Sequence, residues 1–223
     1  MIKAGDALLL VDLQNYYLQP QSDFFRYSEA SYPGAMNYIS GRWREVVEAR
    51  VRELLSAFRA AGNPIIFLRL CGREPDRSDL HAFFQESFHE GRRLGYPAVY
   101  PLETDAAAGN PESIAPGAGE AIFSKTTFSG FHSGGLVAYL AERKRSGLPI
   151  ERLVVTGLAT SQCVDTTARD ASDYGYRVVL IEDALADYSE TAHMASLFAS
   201  QAVCGGDIRS AAEFLNGVPD PKK

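Results

Sequence analysis

Four stretches of this chain are apolar or β-branched without a polar break: Ala7–Val11, Pro64–Leu68, Leu153–Thr156 and Val178–Ile181. A strand with one wet face alternates polar and apolar side chains. A strand with no alternation is buried on both faces, as in a parallel sheet covered by helices. Between the runs, apolar residues recur at helical spacing, as in Trp43, Val47, Val51, Leu54, Leu55 and Phe58, with Gly62-Asn63 as the stop. A further strand is expected at Ala121–Phe123, then a helix over Leu136–Lys144 capped by Ser133. A helix starting near Cys163, one over Ser189–Ser200, a short strand around Ala202–Val203 and a last helix over Ala211–Leu215 complete the pattern. Strands alternating with helices predict a doubly wound, mostly parallel α/β sheet of about six strands with helices on both faces. A length of 223 residues suits one such domain spanning 1–223.

Two regions resist this pattern. Residues 16–40 are rich in aromatics (Tyr16, Tyr17, Phe24, Phe25, Tyr27, Tyr32, Tyr38) and punctuated by Pro and Gly, long for a loop in a compact domain. This insertion either caps a site, meets a partner subunit, or packs on its own aromatics as a surface excursion. Residues 69–101 read as loop with one or two short helices.

In an open α/β sheet, ligands bind beyond the carboxyl ends of the strands. The residues to weigh are therefore Asp12, Arg69, Lys125, Asp183 and, past a small-residue turn, Cys163. Neither GxGxxG nor GxxxxGK[ST] is present, which disfavours dinucleotide and P-loop sites. The absence of GxSxG weakens a serine-hydrolase reading. With 22 basic against 28 acidic residues, there is no surplus charge for non-specific nucleic-acid binding. The three cysteines (Cys71, Cys163, Cys204) are odd in number and widely spaced, so a reducing cytoplasm and no cysteine metal site are expected. The start, MIKAGDALLLVD, runs straight into a strand with no basic leader, and no apolar run nears the ~20 residues of a membrane span. A soluble protein that binds neither nucleic acid nor membrane is expected.

A carboxylate, an ammonium and a thiol at strand ends make chemical sense together. The cation lowers the thiol pKa, and the carboxylate takes a proton and returns it to a leaving amine. Taken singly, each has a plainer reading: a turn residue for Asp12, a solvated side chain for Lys125, an inert buried thiol for Cys163. Position separates Cys163 from the other cysteines. Cys71 leads into the Gly72-Arg73-Glu74-Pro75 loop, and Cys204 reads as core. Cys163 alone stands where first-turn N–H groups and the helix dipole favour a thiolate.

At this point ALLLVDLQNYY (7–17), FSKTTFSGF (123–131) and VVTGLATSQCVDTTARDA (154–171) become specific. In that order and spacing, they resemble the isochorismatase-like cysteine hydrolases, which include nicotinamidases, N-carbamoylsarcosine amidases and ureidoacrylate amidohydrolases. The resemblance implies Asp12 as general base, Lys125 as catalytic lysine and Cys163 as nucleophile. It also implies a non-proline cis peptide at Leu158–Ala159, with the N–H groups of Ala159 and Cys163 as an oxyanion hole. Tyr17, Phe131 and Gln162 match substrate-facing positions of relatives, though aromatics there also suit a core. Arg69 has two readings: it binds a substrate carboxylate, or it anchors a structural one such as Asp183. The implied activity is hydrolysis of a small amide, ureido or carbamoyl compound through a thioester. Vinyl-ether hydrolysis and a silent scaffold are the alternatives. Relatives with vinyl-ether chemistry do not depend on the cysteine, and the intact triad argues against the scaffold. A homo-oligomer, dimer or tetramer, is also implied. Nicotinamidases carry an Asp-x-His pair and a further His for a metal. This chain reads LRLCGREPDRSDLH in the same region, with His81 solitary, so no metal and no cofactor are expected. His132, replacing a small residue of relatives, either lines the pocket or is solvated.

Overall fold

The computed structural model describes residues 1–203 and 207–218, and the expected strand residue Cys204 lies outside them. Six strands form one sheet: β1 (Asp6–Val11), β2 (Ile65–Leu70), β3 (Ala121–Lys125), β4 (Arg152–Leu158), β5 (Arg177–Ala186) and β6 (Asp207–Arg209). Their order is β3-β2-β1-β4-β5-β6, and every pairing is parallel. The chain builds outward from β1 in one direction, then returns beside β1 with β4 and builds outward in the other. The crevice between the ends of β1 and β4 is therefore the topological switch point.

The apolar runs bury as expected. Ala7 to Val11 are at most 1% exposed, and β4 from Leu153 to Leu158 is buried throughout. Helix α4 (Glu48–Ala61) turns Val51, Leu54, Leu55 and Phe58 inward and ends at Gly62, whose φ of +69° closes it in the left-handed conformation. Phe58 stacks on Phe214 of the C-terminal helix (Ala211–Asn216) at 6.2 Å, which ties both ends of the chain to this face. Truncating one of these core side chains to Ala typically costs about 2–5 kcal/mol.

Several expectations are corrected. Residues 16–40 are mostly helical: α1 (Asn15–Leu18), α2 (Asp23–Ser31, capped by Ser22) and α3 (Asn37–Arg42). The dense aromatics hide this because they pack between helices rather than on one stripe, as in Tyr16–Phe24 at 5.5 Å and Phe24–Tyr100 at 5.5 Å. Within residues 69–101 the principal helix is α5 (Ala82–Arg93), capped by His81. The helix Leu136–Arg145 begins at Gly135 with φ +90° and has no side-chain cap. Ser133 instead accepts a hydrogen bond from Thr126 N–H, binding the loop onto the end of β3. Residues 202 and 203 belong to the helix Glu190–Val203, which Ser189 caps by accepting from Ala192 N–H; the last strand lies later, at Asp207–Arg209.

Strand β5 is longer than its apolar run. Its register with β4 jumps from Val155↔Leu180 to Gly157↔Leu185, a bulge that absorbs the polar Glu182-Asp183 inside the strand. Asp183 therefore stands away from the strand end. It pairs with Arg50 at 3.2 Å and accepts from Ala211 N–H. The residue that follows β5 is Asp187.

Candidate active site

Asp12, Lys125 and Cys163 leave the ends of three different strands and meet in the switch-point crevice. The Lys125 Nζ lies 2.9 Å from Asp12 Oδ2, 3.3 Å from Cys163 Sγ and 2.9 Å from the Thr127 carbonyl. The ammonium donates to the Thr127 carbonyl and to Cys163, and forms an ion pair with Asp12. All three side chains are buried: Lys125 is 0%, Asp12 1% and Cys163 3% exposed. The Asp12 oxygens accept no aligned hydrogen bond among the described residues, so the contact with Lys125 is an ion pair that leaves the carboxylate able to take a proton.

Local backbone sets this geometry. Asp12 has φ +52°, a left-handed conformation that Asp tolerates better than most residues and that turns the chain directly after β1. Gln14 holds the turn. Its Nε2 donates to the Leu70 and Ala108 carbonyls, and its Oε1 accepts from Leu70 N–H at 2.7 Å. Cys163 sits in a π-turn, Thr160–Val164, that leads into the helix Asp165–Asp173. The turn is clamped from the far end of β5. Asp187 accepts from Ser161 N–H at 2.6 Å, and Thr160 Oγ1 contacts His193 Nδ1 at 2.8 Å.

Burial dominates the electrostatics. It pushes the Asp12 carboxyl up, and the Lys125 charge only partly opposes that. Burial also pushes the Cys163 thiol up, and the Asp12 charge adds to the effect while Lys125 opposes it. Burial works against the Lys125 ammonium too, but Asp12 and Cys163 outweigh it and the net direction is up. Against the helix dipole, which favours a thiolate, burial at 3% exposure therefore pushes the Cys163 sulfur toward the thiol.

A second correction concerns the turn itself. No cis peptide occurs among the described residues, so Leu158–Ala159 is trans, and Ala159 is extended at φ −83°, ψ 144°. The trans form reaches the π-turn without the about 3–4 kcal/mol cost of a cis bond.

The expected pocket residues part company. Gln162, the residue before Cys163, lines a cavity of about 400 Å³ walled by Phe24, Tyr27, Tyr100 and Tyr188, while Asp12, Lys125 and Cys163 themselves do not line it. Tyr17, buried, packs edge-on behind that wall at 4.6 Å from Phe24. Arg69 turns its Nε to Asn110 Oδ1 at 2.9 Å; of its two readings, the structural anchor on Asp183 does not form, since Asp183 pairs with Arg50. Phe131 packs at a tilt against Tyr174 and Tyr176, at 5.0 and 6.2 Å. The His132 side chain is 66% exposed and 3.0 Å from Asp170, which is the solvated reading. Among the described residues, no cluster of three or more His, Cys, Asp or Glu is placed to hold a metal, and no helix is long and apolar enough to cross a membrane.

Sequence reasoning missed Gln14, Asn110, Asp187 and His193. Asp187 was findable by the strand-end rule had β5 been extended past its polar pair. His193 carries no local signal, because its partner Thr160 lies 33 residues away. Burial, followed by the Arg42 charge, lowers its pKa to about 4. A folded pKa below the unfolded value means that acid favours the unfolded chain. Stability is therefore expected to fall as pH drops from about 6.5 to about 4, by up to about 3 kcal/mol. Urea midpoints across this window measure the effect, and His193→Gln is expected to flatten it.

A parallel six-stranded sheet with Asp, Lys and Cys gathered at its switch point defines a class of α/β hydrolase. The isochorismatase domain profile matches residues 6–213, and the chain belongs to that family of hydrolases. Among curated relatives it is 25% identical over 86% of its length to maleamate amidohydrolase of Pseudomonas putida, covering 77% of that protein. It is 26% identical over 81% of its length to ureidoacrylate amidohydrolase of Yersinia enterocolitica, covering 75% of it. An isochorismatase family protein of Desulfovibrio vulgaris has the same fold, with a TM-score of 0.75 at 22% identity over 97% of this chain and 99% of that one.

Proposed function

We propose that the protein is a cysteine-dependent amidohydrolase that cleaves a C–N bond in a small amide, ureido or carbamoyl compound. The observation that carries this reading is the buried ammonium of Lys125 held at once 2.9 Å from Asp12 and 3.3 Å from Cys163. The names of the curated relatives, both amidohydrolases, support it.

Because burial favours the neutral thiol, attack and proton transfer go together. Cys163 Sγ bonds to the carbonyl carbon as its proton passes to Asp12, whose raised pKa makes it a better base than an ordinary carboxylate. The carbonyl π electrons move onto oxygen, where the N–H groups of Ala159 and Cys163 are the proposed donors, each worth about 3 kcal/mol. Collapse breaks the C–N bond as Asp12 returns the proton to nitrogen, leaving a thioester and free ammonia or amine. Asp12 then takes a proton from water, the hydroxide oxygen adds to the thioester, and the sulfur leaves with the proton restored. Throughout, Lys125 balances the negative charge as it shifts between carboxylate and sulfur.

The test is ammonia release from ureido acids, biuret, carbamoylated amino acids and nicotinamide. Cys163→Ala is expected to lose at least about a thousandfold in turnover. Substantial turnover by that variant sinks the nucleophile assignment, and no turnover of any compound by the wild type favours the scaffold reading.

A further inference from the structure

The cavity lined by Gln162, the residue before Cys163, and by Tyr100 and Tyr188, whose phenols feel the Cys163 charge, is built for one kind of charge. Its inner walls are the aromatic rings of Phe24, Tyr27, Tyr100 and Tyr188, and its mouth carries Glu86 and Glu90 on α5. No Arg, Lys or His lines it among the described residues. Lys125 is enclosed by Asp12, Cys163 and Thr127, and Arg69, whose Nε is turned to Asn110, is not among the residues that line the cavity. Arg93 pairs with Glu90 at 3.7 Å, with its side chain 74% exposed, and does not line the cavity.

The two mouth carboxylates differ. Glu90 accepts the Tyr27 hydroxyl at 2.8 Å, which fixes the ring edge and spends part of the Glu90 charge. Glu86 has neither an ion-pair nor a hydrogen-bond partner among the described residues. Deeper in, Tyr100 is 3% exposed, and its hydroxyl, which makes no hydrogen bond among the described residues, belongs to the cavity lining. Burial raises the pKa of this phenol, and Cys163 adds to that shift, so the ring is a neutral acceptor near the nucleophile. A carboxylate-ended ligand entering here loses its hydration and meets two like charges, and Arg93, the cation paired with Glu90, is not part of the lining. A cation meets aromatic faces, an unpaired carboxylate and a free phenol oxygen.

From this lining we propose that the substrate carries a cationic group, an ammonium, amidinium or guanidinium, at the end remote from the scissile amide. The inference rests on the amidohydrolase reading and specifies its substrate class. The aromatic 16–40 segment then has a definite role. Its helix α2 supplies Phe24 and Tyr27, one wall of the cation's compartment. Specificity at this position comes from rings and carboxylates that no motif around the triad contains.

The test uses three primary amides on one scaffold: para-aminomethylbenzamide, para-methylbenzamide and para-carbamoylbenzoate. The cation is expected to exceed the neutral amide in kcat/KM by about tenfold, chiefly through KM, and the anion to fall about tenfold below the neutral one. High salt is expected to compress the series. Glu86→Gln is expected to reduce the cation-over-neutral ratio about threefold, the scale of one exposed charge contact. A carboxylate amide processed as well as the cationic one overturns the proposal, as does a ratio untouched by Glu86→Gln. If none of the three is hydrolysed, the amidohydrolase reading fails for this scaffold. Calorimetric titration of Cys163→Ala with the same compounds then decides the charge preference by itself. Tighter binding of the cation upholds the compartment, and equal, inverted or absent binding overturns it.

Discussion

Lys125→Met is expected to lower kcat/KM by about a thousandfold or more while leaving the chain folded, a loss of about 4 kcal/mol in transition-state stabilisation. Methionine keeps the length of the stem in a site where the lysine is 0% exposed, so packing changes little. What disappears is the charge that opposes the upward push of burial on Asp12. Without it the carboxyl climbs further and is protonated at neutral pH, so the base is lost together with the stabilisation of sulfur. The pH profile distinguishes this from a merely structural effect. Wild type is expected to show an acid limb set by Asp12 above the ordinary carboxylate range, and the variant a limb displaced to still higher pH.

Stability should follow the same logic. A carboxyl whose folded pKa is raised binds its proton more tightly when folded. The variant's stability should therefore decline as pH rises from the unfolded carboxylate value, near 3.9, through the folded one. Adding Asp12→Asn should remove that decline, because no buried charge then lacks a partner. A Lys125→Met protein with near-normal turnover refutes the assigned role of the ammonium.

Gly157→Ala should be the most damaging added methyl group among the described glycines. Gly157 has φ +125° and pairs with Val11 across β4 and β1. A Cβ there lies 2.0 Å from the Val11 carbonyl oxygen and 2.7 Å from its nitrogen, both backbone atoms of a central strand. Neither can move without displacing the next residue, Asp12. The expected destabilisation exceeds about 3 kcal/mol, from the disallowed backbone conformation and the clash together. Against a typical total of about 5–15 kcal/mol, that is a large fraction. Gly147→Ala is the matched control, since φ is +74° but nothing lies within 4 Å of its Cβ. It should cost only about 1 kcal/mol of backbone strain. Denaturant midpoints of the two variants measure the difference, and comparable losses would refute the close-approach argument.

Local chemistry explains which parts of the site were legible. The unbroken runs around Leu9 and Val154 announce strands buried on both faces, and the residues after them, Asp12 and Cys163, are exposed as candidates by the strand-end rule. Lys125 is legible for the same reason at the end of β3. Where a strand contains a bulge, the rule misfires. Glu182-Asp183 looks like an end because it is polar, yet the bulge keeps β5 running to Ala186 and hands the clamping role to Asp187. The aromatic 16–40 segment misleads in another way. Its rings meet partners on several elements, so no single helical stripe appears.

The sequence by itself determined the class of fold and singled out the three strand-end groups proposed to react. Both depend on short-range facts: hydrophobic periodicity and the residue type that follows a strand. The tertiary structure decided how those groups are charged and what surrounds them. Ionisation depends on burial and on partners 38 to 151 positions away, as between Lys125 and Cys163 or Asp12 and Cys163. Burial pushes the Cys163 sulfur toward the thiol against the helix dipole, and strand packing required Gly157 where the sequence shows only a break. The compartment of rings and carboxylates comes from α2, α5 and the far end of β5, elements that meet only once the sheet has formed.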